Sequence, residues 1–185
     1  MSKLVLNGDT SGSVTLDAPS VSGTTTLTLP TTSGTVLTSA SPSSSLPSSI
    51  NGPTFSAYAG SGQSISSSTF TKVTCGTEEW DTNSNYDTSN SRFTPTVAGY
   101  YQVNGYVAFT SPTRANTQAA IYKNGSAYRT LNQSDSNLYV IGGSSIVYLN
   151  GSTDYIELYT YTNGAGTTDT GTIKTTFSAA MIRGA

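Results

Sequence analysis

The sequence predicts an all-β protein: a β-sandwich or jelly-roll head behind a short, repetitive, β-rich N-terminal stalk or leader. Three observations carry that prediction. Of 185 residues only 10% are charged and 35% hydrophobic, and the polarity comes from Ser, Thr and Asn, which favour strands and turns over helices. Within the second half, apolar residues recur at every second position in short bursts, the period of a strand with one buried face. Asn-Gly pairs punctuate those bursts, and such pairs readily take the positive φ angles of hairpin turns.

In chain order the leader is residues 1–38, a Ser/Pro-rich linker is 39–53 and the head is 54–185. The leader contains the units GSVTLDAPSVS, GTTTLTLPTTS and GTVLT, which set Gly12, Gly23 and Gly34 11 residues apart. Leu16 matches Leu27, Pro19 matches Pro30, and Val14 is echoed by Val36. One strand with alternating apolar residues has too little neighbouring surface to bury them alone. Leu4, Leu6, Val14, Leu16, Leu27, Leu29 and Val36 are therefore the candidate stalk or attachment residues, covered if three copies wind about one axis. Fully extended at about 3.3 Å per residue, residues 12–38 span at most roughly 90 Å. Two other readings stay open: accidental periodicity in an unstructured Ser/Thr/Gly tail, and an anchor that orders only when seated on another component. The linker, SASPSSSLPSSINGP, carries Pro42, Pro47 and Pro53, which forbid continuous strand pairing.

In the head, Tyr101, Val103, Val107 and Phe109 share one parity through GYYQVNGYVAFT, while Gln102, Asn104 and Thr110 share the other. That makes the first set core residues. AAIYKNGSAYRTL reads as a hairpin at Asn124-Gly125, and VYLNGSTDYIELYTY repeats the device at Asn150-Gly151, with Ile156 and Leu158 as further core positions. In TIKTTFSAAMI, Ile173, Phe177, Ala179 and Met181 keep one parity and predict a final inner strand.

These residues carry a resemblance. EEWDTNSNYDTSNSRFTPTVAGYYQVNGYVAF, AAIYKNG, SIVYLNGSTDYIEL and TFSAAMI resemble, in order and spacing, the globular head of complement C-one-q and its relatives in the tumour-necrosis-factor superfamily, over roughly residues 55–182. The resemblance implies a ten-stranded jelly roll that packs as a three-fold symmetric trimer about an apolar and aromatic axis. The leader, with NGDTSGS, Pro-punctuated TL-rich repeats and GTVLT, is similar to the leader regions of bacteriophage fibre and other virion proteins. A thin repetitive leader followed by a trimeric knob is the plan of a phage fibre.

The chemistry on offer is narrow. The chain has no histidine, which removes Ser-His-Asp and Cys-His machinery and the commonest transition-metal ligand. Glu78 with Glu79, and Asp154 with Glu157, fall on opposite strand parities, so neither makes a convincing acid/base pair. No enzyme, catalytic residue or cofactor is expected. Asp81, Asn83, Asn85 and Asp87 alternate through WDTNSNYD and offer oxygens to calcium, but the loop lacks a terminal bidentate Glu and reads better as polar surface. Asn124, Asn132 and Asn150 each begin an Asn-X-Ser pattern, read here as turns. Cys75, the single cysteine, reads as a buried or incidental thiol.

A net charge of -2 offers no basic surface for nucleic acid. The apolar run Leu4–Leu6 is far shorter than the roughly 20 residues of a membrane span, so synthesis in the host cytoplasm without membrane insertion is expected, and the resemblance of the leader to phage fibre proteins implies residence in the virion. Tyr100, Tyr106, Tyr122, Tyr139, Tyr148, Tyr155, Tyr159 and Tyr161 are too many for one core. A subunit interface is the economical place for Tyr100, Tyr106, Tyr122, Tyr148, Tyr155 and Tyr159, with a sugar-stacking platform as the alternative. The function expected is a homotrimeric phage fibre or decoration protein, on the capsid or as a small appendage, partnered with itself and with other virion proteins through the leader. The runner-up is a tail-associated, lectin-like receptor-binding protein that engages host-surface carbohydrate.

Overall fold

The computed structural model describes residues 3–7, 9–17, 31, 52–111 and 116–185, and among them every regular element is a strand. The chain divides into two compact units, residues 1–39 and 40–185. In the first, β1 (Lys3–Asn7) pairs antiparallel with β2 (Ser13–Asp17), setting Leu4 opposite Leu16 and Leu6 opposite Val14. Thus the first repeat unit folds back on the residues that precede it. Gly12, the first of the glycine markers, adopts a φ of 79° just before β2. Val5 and Leu6 are exposed on this hairpin, while Leu27, Leu29 and Val36 lie outside the described residues.

The head strands, in chain order, are β3 (Thr54–Tyr58), β4 (Ser64–Ile65), β5 (Thr71–Lys72), β6 (Thr77–Asp81), β7 (Tyr86–Asp87), β8 (Arg92–Phe93) and β9 (Ala98–Ala108). They continue with β10 (Thr117–Lys123), β11 (Ser126–Ser134), β12 (Val140–Asn150), β13 (Ile156–Thr162), β14 (Gly166–Thr167) and β15 (Thr176–Gly184). One antiparallel sheet runs β12-β9-β15-β3-β6; the other runs β11-β10-β13-β8-β7, with β5 also on β13, and β4 pairs β14. From β9 onward the chain crosses repeatedly between the two sheets, the winding of a jelly roll. Pro53, at the end of the expected linker, is buried and its carbonyl accepts from Met181 N, so the head begins at least one residue before β3.

Tyr101, Val103, Val107, Phe109, Ile156, Leu158 and Phe177 are all buried in one core cluster. Phe55 sits at its centre. Its ring stacks on Tyr86 at 4.4 Å and Phe93 at 4.6 Å, and meets Phe177 edge-on at 5.1 Å. Tyr86 donates its hydroxyl to Cys75 O and Tyr101 donates to Val97 O, so both phenols keep a partner inside. Cys75 is fully buried, and desolvation pushes its thiol up to about 12, which leaves it inert as a nucleophile. Gly105 occupies an inward position on β9, where a β-carbon would come 2.5 Å from Leu158 Cδ1. The missing side chain is what lets Leu158 of the facing sheet fill that place.

Three local expectations change. The strand expected from Ile173 begins at Thr176: Ile173 is 88% exposed in the preceding turn, and its parity was coincidental. Asn124-Gly125 is the turn of the β10–β11 hairpin, with φ of 53° and 77°. Asn150-Gly151, however, joins β12 to β13 across the sandwich rather than closing a hairpin, and only Gly151 takes positive φ. Asn132, read as a turn, lies within β11 and donates to Gly142 O.

One charge cluster joins the two sheets, and a second lies within the β13 sheet. Asp154 is buried in the β12–β13 connection, where Oδ1 accepts from Asn124 Nδ2 at 2.8 Å and Oδ2 pairs with Lys123 Nζ at 2.8 Å and accepts from Asn150 N. It thereby pins one Asn-Gly turn to the other. On β13, the buried Glu157 holds Arg92 and Lys72: its Oε1 accepts from Arg92 Nε at 3.0 Å and Nη2 at 2.9 Å, and from Lys72 Nζ at 3.2 Å. Arg92 also lies over the Tyr155 ring at 3.8 Å.

The hydrogen bonds from Asn124 and Lys123 hold the Asp154 carboxyl below its ordinary range. A folded pKa below the unfolded value of about 3.9 contributes stability that is complete above that value and lost as pH falls through the folded one. Asp154→Asn should accordingly be less stable than the parent at pH 7, with the difference between their urea midpoints shrinking below about pH 4; a difference independent of pH would show that the charge is not what matters. Removing one partner of a buried carboxylate strands it. Arg92→Ala should cost about 2–4 kcal/mol in urea unfolding, and Lys72→Ala, which removes the single longer contact, less than about 1 kcal/mol.

Candidate interaction surfaces

The inward parity of β9 throws Tyr100, Gln102, Asn104 and Tyr106 onto the outer face of its sheet. Register then builds rows across three strands: Tyr148, Tyr100 and Arg183; Ile146, Gln102 and Ala180; Ser144, Asn104 and Ser178; Gly142, Tyr106 and Thr176. The result is a banded face. At one end Tyr100 and Tyr148 lie 5.4 Å apart and, with Ile146 and Ile182, line a shallow groove of about 660 Å³. A bulge in β15 between Met181 and Arg183 brings Ile182 and Arg183 together there. The middle band is polar: Asn104 donates to Ser178 Oγ and Ser56 donates to Glu79 Oε2 at 2.7 Å. Beyond it Tyr106 lies over Gly142, where a β-carbon would meet its Cδ1 at 2.6 Å. Tyr106 is 45% exposed, Ile146 52% and Ile182 51%, and Trp80 is exposed on the edge strand β6.

The other expected interface tyrosines lie on the opposite sheet. Glu157, Tyr159 and Tyr161 share the outward parity of β13, next to Tyr122 of β10. Tyr122 stands opposite Glu157, which puts it diagonal to Tyr159; the two rings stack at 3.7 Å. Phe70 joins Tyr122 at 5.9 Å and Tyr161 at 5.3 Å. Tyr155 is held under Arg92. Tyr100, Tyr106 and Tyr148 are thus gathered on one sheet, and Tyr122, Tyr155 and Tyr159 on or beside the other. Phe70 and the caged cations Lys72 and Arg92 were missed in sequence because they precede Glu157 by 65 residues or more. The alternation around Tyr159 and Tyr161 was the available signal.

The side-chain oxygens of Asp81, Asn85 and Asp87 in WDTNSNYD accept hydrogen bonds from that loop and from the residues that follow it. Asp81 accepts from Asn83 N and Tyr86 N, Asn85 Oδ1 from Thr96 N, and Asp87 from Ser89 and Asn90. The hydrogen bonds from Ser89 and Asn90 bring Asp87 down to about 2. Among the described residues no cluster of His, Cys, Asp and Glu is arranged to hold a metal ion, and no helix is long and apolar enough to cross a membrane.

No protein-family model matches the chain, and no curated protein matches it in sequence. Solved structures do. The globular domain of zebrafish complement 1qA protein is 15% identical with a TM-score of 0.50, over 72% of this chain and 99% of that one. The PRD1 vertex protein P5 is 15% identical with a TM-score of 0.55, over 71% of this chain and 73% of that one. The Eiger TNF of S. frugiperda is 10% identical with a TM-score of 0.53, over 72% and 92%. Identities this low establish likeness of fold: the head is a jelly-roll sandwich of the complement 1q and TNF type.

Proposed function

We propose that this chain is a non-enzymatic structural protein of a bacteriophage virion, a homotrimeric fibre or decoration protein seated by residues 1–38 with its jelly-roll head exposed. The observation that carries this reading is the outer face of the β9 sheet. Tyr100, Tyr148, Ile146 and Ile182 stand exposed together at one end of this face, with Tyr106 exposed beyond the polar band, the kind of patch that marks an interaction site. Three copies about a closed axis cover it symmetrically, with phenol hydroxyls and the Asn104–Ser178 band left to pair across the axis. Support for the phage setting comes from the leader repeats and from the fold shared with a phage vertex protein. Support for a non-enzymatic role comes from the absent histidine and from acids such as Asp81, Asp154 and Glu157 that are already engaged in structural contacts.

A second reading, receptor binding through host-surface carbohydrate, is favoured by one feature: the ring cluster of Phe70, Tyr122, Tyr159 and Tyr161 lies on the sheet that a trimer built on the β9 sheet leaves outward.

Sedimentation at micromolar concentration should give a trimer, and Ile146→Asp or Tyr148→Asp a folded monomer with the parent's far-UV spectrum. A parent protein that sediments as a stable monomer overturns the assembly. Electron microscopy of the parent particle should place density for this chain on the capsid or a small appendage; a particle without it overturns the virion role. Purified protein that competes with phage adsorption would favour the second reading over the first.

A further inference from the structure

The β13 sheet carries a second surface whose chemistry differs from that of the β9 sheet. Four rings form one continuous group, with Tyr122 stacked on Tyr159 and Phe70 tilted against Tyr122 and Tyr161. Directly beside them Glu157 stands opposite Tyr122 on one neighbouring strand and Arg92 on the other, and Lys72 stands opposite Tyr159. Glu157 is almost wholly buried, yet Lys72 and Arg92 keep about a third of their side chains open, at 34% and 35%. The acid is sunk and the cations are not. The cluster therefore presents a local charge of +1 on a chain whose total is -2. Because Lys72 and Arg92 both converge on Oε1, and Arg92 is also stacked on Tyr155, the cations are held in place before any ligand arrives.

We propose that this surface binds an acidic polysaccharide, with pyranose rings lying on the Phe70–Tyr161 and Tyr122–Tyr159 rings and sugar carboxylates meeting Lys72 and Arg92. The proposal rests on the second, carbohydrate-binding reading and supplies its ligand class. Axial C–H bonds of a pyranose carry partial positive charge and suit the negative face of an aromatic ring. A carboxylate suits the guanidinium and ammonium donors, which are only partly satisfied by one shared oxygen. Size argues against a protein partner: four half-buried rings offer roughly 200–400 Å², against the roughly 800 Å² per partner of a stable protein interface. Nucleic acid needs a run of cations along a groove, and two are gathered here.

Affinity electrophoresis of the full chain in native gels tests this, with sodium polygalacturonate as the acidic probe and dextran, at equal mass, as the neutral one. The parent should be retarded by polygalacturonate and not by dextran. Phe70→Ala and Tyr161→Ala, two rim positions read separately in case one disturbs folding, should each lose most of the retardation while melting close to the parent. Lys72→Gln should lose it too, whereas Lys174→Gln, which removes the same charge from the turn before β15, should not. No retardation, equal retardation by dextran, retention of binding in both ring variants, or equal loss in Lys72→Gln and Lys174→Gln would each overturn the proposal. Sedimentation of the same samples keeps the outcomes separate: a trimer that ignores polygalacturonate sinks this inference alone. If the gel result holds but the protein fails to compete with adsorption, the site stands and the receptor role falls.

Discussion

The ring of Phe55 is the contact on which the head depends. It comes from β3 in one sheet, yet two of its three ring neighbours, Tyr86 and Phe93, come from the other, and the third, Phe177, belongs to the strand next to its own. Large rings packed stacked and edge-on fix distance and angle as well as supplying apolar burial, so this one cluster sets how the two sheets face each other. With that fixed, strand alternation does the rest. Tyr101, Val103 and Val107 turn in, so Tyr100 and Tyr106 must turn out; Ile156 and Leu158 turn in, so Glu157 and Tyr159 cannot. Both outer surfaces are by-products of one buried arrangement.

Those surfaces then diverge in character. Around Tyr100 and Tyr148 the groove lining is largely aliphatic, with Arg183 in it and Lys123, already paired with Asp154, beside the Tyr148 ring. Around Tyr159 a carboxylate is sunk beneath two cations. An aliphatic and aromatic band suits a copy of itself, because a symmetric contact cannot place opposite charges across an axis without also placing like charges nearby. A rigid, charge-bearing set of rings suits a ligand that brings its own charge. Net charge summed over the chain hides this: a total of -2 says nothing about a spot where one acid is buried and two cations stay wet.

What could be read in advance followed the range of the forces involved. The inner set on β9 was legible because period-two alternation is local, and Asn124-Gly125 because the turn needs two positive φ angles that these residues tolerate. Sorting the tyrosines was not, since parity tells whether a side chain lies in or out of its own strand but not which sheet that strand joins. Glu157 was weighed only as a poor acid/base partner for Asp154; its cage comes from Lys72 and Arg92, which only the folded topology brings alongside. Ile173 kept the right parity in a segment that turns instead of extending, and Trp80 sits past a bulge in the β3–β6 ladder that shifts the register by one. In the leader the repeat spacing pointed to strands covered by other copies, whereas Lys3–Asn7 pairs with Ser13–Asp17 of its own chain, Leu4 in register with Leu16.

The order β12-β9-β15-β3-β6 has a consequence in time. The central position, between β9 and β3, is filled by β15, the last of the head's strands to leave the ribosome, and Phe55 of β3 finds its register partner in Ala179. Until that strand emerges, β3 and β9 each show an unpaired edge and the Phe55 cluster lacks Phe177. Pairings this distant in sequence form slowly and late. A nascent or truncated chain that stops short of Thr176 therefore has two open sheet edges and an unfinished core, the form most exposed to aggregation and to proteases. By this topology the head reaches its folded state only once Thr176–Gly184 is present to pair with both β9 and β3.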